Sequence, residues 1–466
     1  MLKKKVAFYT MGCKLNYAET STIARKFSDL NYEHVSFNSF ADIYVINSCS
    51  VTKNAETEFK CIVRSAMRKN EKAFIIAIGC YAQLYPKEIS YIIGVDLVLG
   101  SEEKFHIIDS LEKVNLSKKN YPAKVLLSKK TCSYFSSYSS PSSTTTIGFG
   151  YNRTRSFLKI QDGCDYKCSY CVIPMARGPS RSEHIENILK NIKCLLKKGV
   201  KEIVLTGVNI GDYGKKIFHK NERLTYTFFD LIQEIDQIKE IEMGRIRLSS
   251  IEPNLLKNEY IEFFSKSKHF VPHFHLPLQS GSNDILGKMQ RRYRRELYQE
   301  KVKTIRNLIP DAYIGSDIIV GFPGETHRHF LETYHFLKQL DISSLHIFTY
   351  SRRPNTKSYT IQQDNNVSNR IQKKRNKTLR ILSKKKYRSF CEKQIHTKKT
   401  VLFENNSSTT TNNEYLYGYT ENYIRTKISF IPTFRNTLQD VILKKIDEKD
   451  GIMIADASTT KSKSMG

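Results

Sequence analysis

Three thiols fall within eight residues of one another in "KIQDGCDYKCSYCVIPMARG", residues 159–178, as Cys164, Cys168 and Cys171, in a chain of 466 residues that holds ten cysteines. Spacings of four and then three let a single loop wrap a compact inorganic core. A structural zinc site takes four protein ligands, and none of suitable spacing follows closely: the nearest histidine, His184, opens the next helical stretch. A 4Fe–4S cluster needs one ligand for each of its irons. Three thiolates leave one iron open to an exchangeable molecule, which makes such a cluster a reaction centre as well as an electron store.

A second trio has a different signature. The apolar runs "KVAFYTMGC", "DIYVINSC" and "KAFIIAIGC" end at Cys13, Cys49 and Cys80, and amphipathic stretches such as "ETSTIARKFSDL" and "EFKCIVRSAMRK" lie between them. Read as parallel strands of a doubly wound α/β sheet, these runs bring the three thiols to its carboxyl edge, where such folds bind ligands. Each cysteine follows its run instead of sitting within it, unlike an ordinary core cysteine. Cys61, Cys132, Cys194 and Cys391 have no ligand spacing and read as incidental thiols.

The elements that must carry these loops divide the chain. Residues 1–115 form the first α/β domain, and 116–150, with the serine- and threonine-rich "KKTCSYFSSYSSPSSTTTI", read as a linker. Within 151–388 six strand candidates, "SFLKIQ", "EIVLTG", "RIRLSS", "PHFHLPL", "YIGSDIIVGF" and "SLHIFTY", alternate with helical patterns. Six βα units fall short of the eight that close a full barrel, so a partial, TIM-like parallel barrel is expected, with its active face at the carboxyl ends of the strands. "FLKIQ" then places Cys164, Cys168 and Cys171 in the loop after the first strand. "NRIQKKRNKTLRILSKKKYRSF" reads as a basic helix with one packed face, residues 389–458 as a small antiparallel β-barrel of a type often used on RNA, and 459–466 as a disordered tail.

Lysine and arginine exceed aspartate and glutamate by 75 to 46, a formal charge of +29, which suits a polyanion such as RNA without naming it. The longest strongly apolar run, "AFIIAIGC", is far short of the roughly 20 residues that span a bilayer. No membrane role is expected. The N-terminal apolar run is too short for a signal-peptide core, and the cysteines lack the even spacing of a secreted scaffold, so a reducing cytoplasm is expected.

C-x3-C-x2-C after the first strand of a partial barrel resembles the radical S-adenosylmethionine enzymes. "GCKLN", "INSCSVT", "GCYAQ", "IQDGCDYKCSYCVIPMARGPSRS", "LTGVNIGDYG", "LSSIEP", "HLPLQSGSNDILGKMQRRY", "VGFPGET" and "GYTENY" carry the resemblance further, to the methylthiotransferases. That family has an N-terminal cluster domain, a radical S-adenosylmethionine barrel and a C-terminal RNA-binding TRAM domain. The resemblance implies two 4Fe–4S clusters, one on Cys13, Cys49 and Cys80 and one on Cys164, Cys168 and Cys171. It also implies two S-adenosylmethionine molecules per product: one methylates a sulfur on the first cluster, the other is cleaved at the second to a 5′-deoxyadenosyl radical that takes hydrogen from carbon 2 of an adenine. "GCKLNYAE", "NSCSVTKNAE", "KIQDGC" and "RIRLSSIEP" look most like the branch acting on N-threonylcarbamoyladenosine at tRNA position 37, next to the anticodon. The isopentenyladenosine branch resembles this chain less, and the branch modifying a ribosomal-protein aspartate less again. A tRNA, an electron donor such as a flavodoxin or ferredoxin, and a sulfur source are the implied partners.

Gly207, Asn209, Glu252 and Gln279 fall at predicted strand ends facing the barrel cluster and are candidate S-adenosylmethionine contacts, while Gly321 and Gly324 read as turn glycines. Arg291, Arg292, Arg294 and Arg295 in "QRRYRRE" could grip phosphates but read at least as well as a solvated helical charge run, and they stay off the list of catalytic residues. His269, His273 and His275 read as part of a barrel strand rather than as metal ligands. Two other classes remain open on the residues alone: a zinc-stabilised RNA-binding protein without catalysis, and an electron carrier, which usually closes all four cluster positions.

Overall fold

A computed structural model describes residues 3–30, 32–50, 53–114, 121–128, 154–215, 226–240, 244–361, 366–404 and 414–458. The tail at 459–466 and the serine-rich part of the linker lie outside these residues.

The N-terminal domain is a six-stranded sheet in the order Glu33–Val35, Lys5–Thr10, Ile43–Ser48, Phe74–Gly79, Leu97–Leu99, Lys124–Leu126, parallel throughout. Ile43–Ser48 and Phe74–Gly79 are buried at every residue, because helices cover both faces of the sheet and polar alternation has no place there. Helix Lys14–Asp29 supplies Ile23, Ala24 and Phe27 to one face, and helix Lys53–Lys69 supplies Phe59, Ile62 and Val63 to the other. The last strand, Lys124–Leu126, lies within 116–150, so the sheet reaches into the stretch read as linker. Three residues are too short for a periodic signal; pairing to Leu97–Leu99 makes them a strand.

All six expected strands of the second domain form. Arg155–Lys159, Glu202–Thr206 and Arg245–Leu248 make one parallel ladder, and His273–His275, Tyr313–Val320 and Ser344–Thr349 another. Parallel bridges between Ile246 and Phe270 and between Ser250 and His275 join the two. Among the described residues the first and last strands do not pair, which leaves the partial barrel open on one side. The basic helix Asn369–Glu392 buries Leu379, Leu382 and Phe390 and leads into the last domain.

That domain is the expected small barrel, closed and five-stranded, antiparallel in four of its pairings, with Arg425–Ser429 parallel to Met453–Ala457. Directions cannot alternate all the way round a ring of five, so closure requires a like-directed pair. The domain docks on the amino-terminal end of the larger barrel. Arg245 donates to the carbonyls of Thr400 and Tyr419, both at 3.0 Å, and Arg247 to those of Glu421 at 3.0 Å and Thr420 at 3.3 Å. Both guanidinium groups are held by fully buried Glu202, at 2.7 Å from Arg245 Nε and 2.9 Å from Arg247 Nε.

Burial alone would raise the Glu202 carboxyl, but Arg247 and Arg245 overcome it and hold the group well below the usual carboxylate range. Its stabilisation is therefore present above the ordinary glutamate value of about 4.3 and is lost as pH falls through the lowered folded value. Glu202→Gln is expected to cost about 3–5 kcal/mol at neutral pH. Denaturant midpoints of the two proteins measured from neutral pH downward should show the gap begin to close as pH falls below about 4.3 and close fully only at the lowered folded value.

Candidate functional site

The loop that carries Cys164, Cys168 and Cys171 starts at Gly163, which has φ +70°, and a Cβ there would lie 2.0 Å from the Pro179 carbonyl oxygen. Glycine is required at this turn. The Cys164 amide donates to the Gly178 carbonyl at 3.1 Å and the Cys171 amide to that of Cys168 at 3.1 Å. Ser169 pins the loop to the far wall of the barrel, its amide donating to Met289 at 3.0 Å and its hydroxyl to Lys288 at 2.8 Å. Burial pushes the Cys164 thiol up to about 11 and that of Cys171 to about 12. Three desolvated thiols on one short loop give up their protons readily only to a cation held among them, which is the donor chemistry of an iron site.

The other trio follows three adjacent strands. Cys13 comes after Lys5–Thr10, Cys49 directly after Ile43–Ser48, and Cys80 directly after Phe74–Gly79. Gly12, at φ +87°, lets the chain approach Cys49 so closely that a Cβ would sit 2.9 Å from its Sγ. Asn16 ties two of the loops together, donating from Nδ2 to the Met11 carbonyl at 2.9 Å and the Ser48 carbonyl at 3.2 Å.

The two trios are brought together by one short helix. Ile173–Arg177, two residues past Cys171, packs on helix Cys80–Leu84, and Ser101 Oγ donates to the Ala176 carbonyl at 2.9 Å. Arg177 closes the junction, donating to Glu19 Oε1 at 2.9 Å, Asp162 Oδ1 at 3.1 Å and Asn16 Oδ1 at 2.8 Å. Lys104 and Lys159 also pair with Glu19, and Lys159 and Arg181 with Asp162. All six charged side chains are buried. Four cations thus share two carboxylates, and Arg177 is close enough to act electrostatically on both Cys80 and Cys13. The surplus positive charge fits an anionic centre at the N-terminal trio.

Residues 158–337 match the family described as the Radical SAM superfamily, and residues 5–100 match the Uncharacterized protein family UPF0004. The chain is 35% identical over 420 residues to the threonylcarbamoyladenosine tRNA methylthiotransferase MtaB of Bacillus subtilis (strain 168), covering 90% of this chain and 89% of that one. Identity to the protein of the same name in Aquifex aeolicus (strain VF5) is 40% over 391 residues, 84% of this chain and 90% of that one. The chain belongs to the radical S-adenosylmethionine tRNA methylthiotransferases. It is also 30% identical over 474 residues to the tRNA-2-methylthio-N(6)-dimethylallyladenosine synthase of Bacillus subtilis (strain 168), covering 98% of this chain and 87% of that one. Among solved structures, the radical S-adenosylmethionine methyltransferase TsrM from Kitasatospora setae, with cobalamin and a 4Fe–4S cluster bound, superimposes with a TM-score of 0.53 at 13% identity, over 77% of this chain and 74% of that one. That likeness concerns the fold alone.

In this methylthiotransferase the remaining candidates have distinct places. Asn209 accepts at Oδ1 from the Glu252 amide at 3.4 Å, while its buried Nδ2 has no partner among the described residues. Gln279, at φ +70°, lines a cavity of about 200 Å³ together with Tyr170, Cys171 and Asp317. Gly207 serves packing: a Cβ would lie 2.8 Å from Oε1 of Gln161, the side chain that accepts from the Asn209 amide. Gly321 and Gly324 are left-handed turn residues, at φ +77° and +79°.

Arg291 corrects the reading of the arginine run. It lies between helices Asn283–Lys288 and Arg295–Leu308, not on either, and its buried guanidinium pairs with Glu252 and donates to Cys168 Sγ at 3.2 Å and to the Tyr170 hydroxyl at 3.3 Å. Four arginines in five residues look alike in sequence; Gln290, at φ +58°, turns this one inward. Of the histidines, His273 stacks on Tyr313 at 5.2 Å, and His275 instead joins Asp317 and His346.

Arg177→Met would leave Glu19 and Asp162 short of a cation and the two helices without their clamp. A loss of about 3–5 kcal/mol is expected. Mass spectrometry of the metal-free protein after brief iodoacetamide exposure should show faster alkylation of Cys80, which is 5% exposed in the intact junction.

Proposed function

We propose that this protein adds a methylthio group to carbon 2 of N-threonylcarbamoyladenosine at position 37 of tRNA. The reading rests on one observation above all: a loop with three thiols and, on another domain, three adjacent strand ends with one thiol each meet where the helix that Arg177 ends packs on helix Cys80–Leu84. Cys164, Cys168 and Cys171 would hold one 4Fe–4S cluster and Cys13, Cys49 and Cys80 a second, each with an iron left for a small molecule. When bound, the barrel cluster and S-adenosylmethionine supply the radical that removes the carbon 2 hydrogen, and the N-terminal cluster supplies the methylthio group that takes its place.

The chain's own part is binding and exclusion. Asn209 Nδ2 and the Glu252–Arg291 pair border the barrel trio and are placed to orient the cofactor's polar groups. Gln279 borders the cavity under Cys171. The formal charge of +29 and the C-terminal barrel favour docking of an anticodon arm, whose unpaired bases can be splayed into the cleft. An external one-electron donor such as a flavodoxin or ferredoxin, and a sulfur source, complete the reaction in the cytoplasm. Among the described residues no helix is long and apolar enough to cross a membrane.

Anaerobic reconstitution is expected to give about eight irons per chain, and about four in either Cys80→Ala or Cys164→Ala. Cys164→Ala should abolish cleavage of S-adenosylmethionine. Cys80→Ala should still form 5′-deoxyadenosine while losing methylthio transfer. In cells lacking the protein, mass spectrometry of tRNA nucleosides should show loss of 2-methylthio-threonylcarbamoyladenosine. Loss of the isopentenyl counterpart instead would overturn the choice of substrate.

A further inference from the structure

The inner face of the partial barrel is polar, because alternation along each strand sends the apolar neighbours, such as Ile203, Ile246, Phe274 and Ile318, to the helical side. Its floor is built around Glu202, which holds Arg245 and Arg247, and Tyr423 of the C-terminal barrel lies under Arg247, 4.9 Å from ring centre to guanidinium. Above this floor the wall carries His275, Asp317 and His346. His275 Nε2 lies 2.8 Å and His346 Nδ1 3.2 Å from the same Asp317 oxygen, and the side chain of His346 is 53% exposed, so this cluster faces open space.

Among the described residues, Lys14 of the other domain lies close enough to feel the charges of that interior. Lys14 opens helix Lys14–Asp29, which packs on the strands Arg155–Lys159 and Glu202–Thr206, with the Tyr17 ring 6.2 Å from that of Phe157. The charges that act on its ammonium are Arg247, Arg155, Glu202 and Asp317, all of the barrel interior. Yet Lys14 makes no ion pair or hydrogen bond among the described residues. An ammonium group brought in among arginines without a carboxylate partner is unfavourable until an anion arrives. Lys14 also directly follows Cys13, so the anion it receives is anchored one residue from the N-terminal trio.

This rests on the substrate reading above and deepens it. A threonylcarbamoyl group on N6 brings a carboxylate, a hydroxyl and ureido N–H groups. A dimethylallyl group brings none of these and would leave Lys14 covered and unpaired beside a His–Asp–His cluster bonded, among the described residues, only within itself. Sites built to pair polar groups discriminate strongly against analogues that lack them. We propose that Lys14 is the specificity-determining cation of the substrate pocket, receiving the carboxylate of the threonylcarbamoyl group while the His275–Asp317–His346 cluster receives its hydroxyl and ureido groups.

The test uses anaerobically reconstituted full-length enzyme and three anticodon stem-loops that differ only at the target adenosine: threonylcarbamoylated, its threonine methyl ester, and unmodified. Wild type is expected to favour the acid over the ester by about 10- to 100-fold in kcat/KM, the range of one charge-assisted hydrogen bond. Lys14→Gln should abolish that preference, with iron per chain as in wild type, and Lys14→Arg should retain most of it. Equal use of acid and ester by wild type overturns the proposal, as does a preference that survives in Lys14→Gln. A parallel loss of iron and of turnover on both loops in Lys14→Gln also overturns it, since Lys14 would then serve the cluster. These results leave the proposed function standing. Wild type that forms no methylthio product from any loop refutes that function, and this inference with it.

Discussion

The arrangement depends on a buried ion network at the seam between the first two domains. Glu19 comes from the N-terminal helix, Asp162 from the start of the cysteine loop, and Arg177 from the helix that ends that loop. Desolvating such charges costs several kcal/mol each unless every one is paired and hydrogen-bonded. In the observed docking each of the six charges has an ion-pair partner of opposite sign. That docking sets helix Ile173–Arg177 against helix Cys80–Leu84, and with them the two thiol trios. The network therefore acts less as a source of stability than as a register pin. Its two uncompensated positive charges favour the chemistry placed beside it.

A second network does the same work at the opposite end of the barrel. Glu202, Arg245 and Arg247 join the barrel floor to main-chain carbonyls of the C-terminal domain. Contacts to carbonyls constrain position without constraining side-chain identity, so the outer surface of the small barrel is left free for other uses. The larger barrel is thus closed from below by one domain and flanked by another, and its unpaired side remains as the route to the interior. A site that cleaves an unreactive C–H bond through a radical has to shield it from solvent and stray hydrogen donors. The partial barrel provides walls, and the domains that dock on it provide the rest.

Much of this architecture is legible in the order of the residues. Cys13, Cys49 and Cys80 end apolar runs, and those runs form neighbouring parallel strands. All six barrel strands stand out for the same reason: buried strands and amphipathic helices alternate with periods that a short window reveals. The strand Lys124–Leu126 and the parallel pair that closes the C-terminal barrel do not stand out. Each exists only through pairing with residues far along the chain.

The sequence by itself determined which thiols form each trio, the order of the three domains and the strand ends that carry the loops, since all of these follow from residue type and local spacing. Only the tertiary structure decided which few of 75 lysines and arginines matter. Arg177 in the seam, Arg291 beside Cys168 and Lys14 in the barrel interior have nothing local that separates them from solvated neighbours. A charge becomes consequential when packing removes its water, and that is a property of what the rest of the chain brings around it.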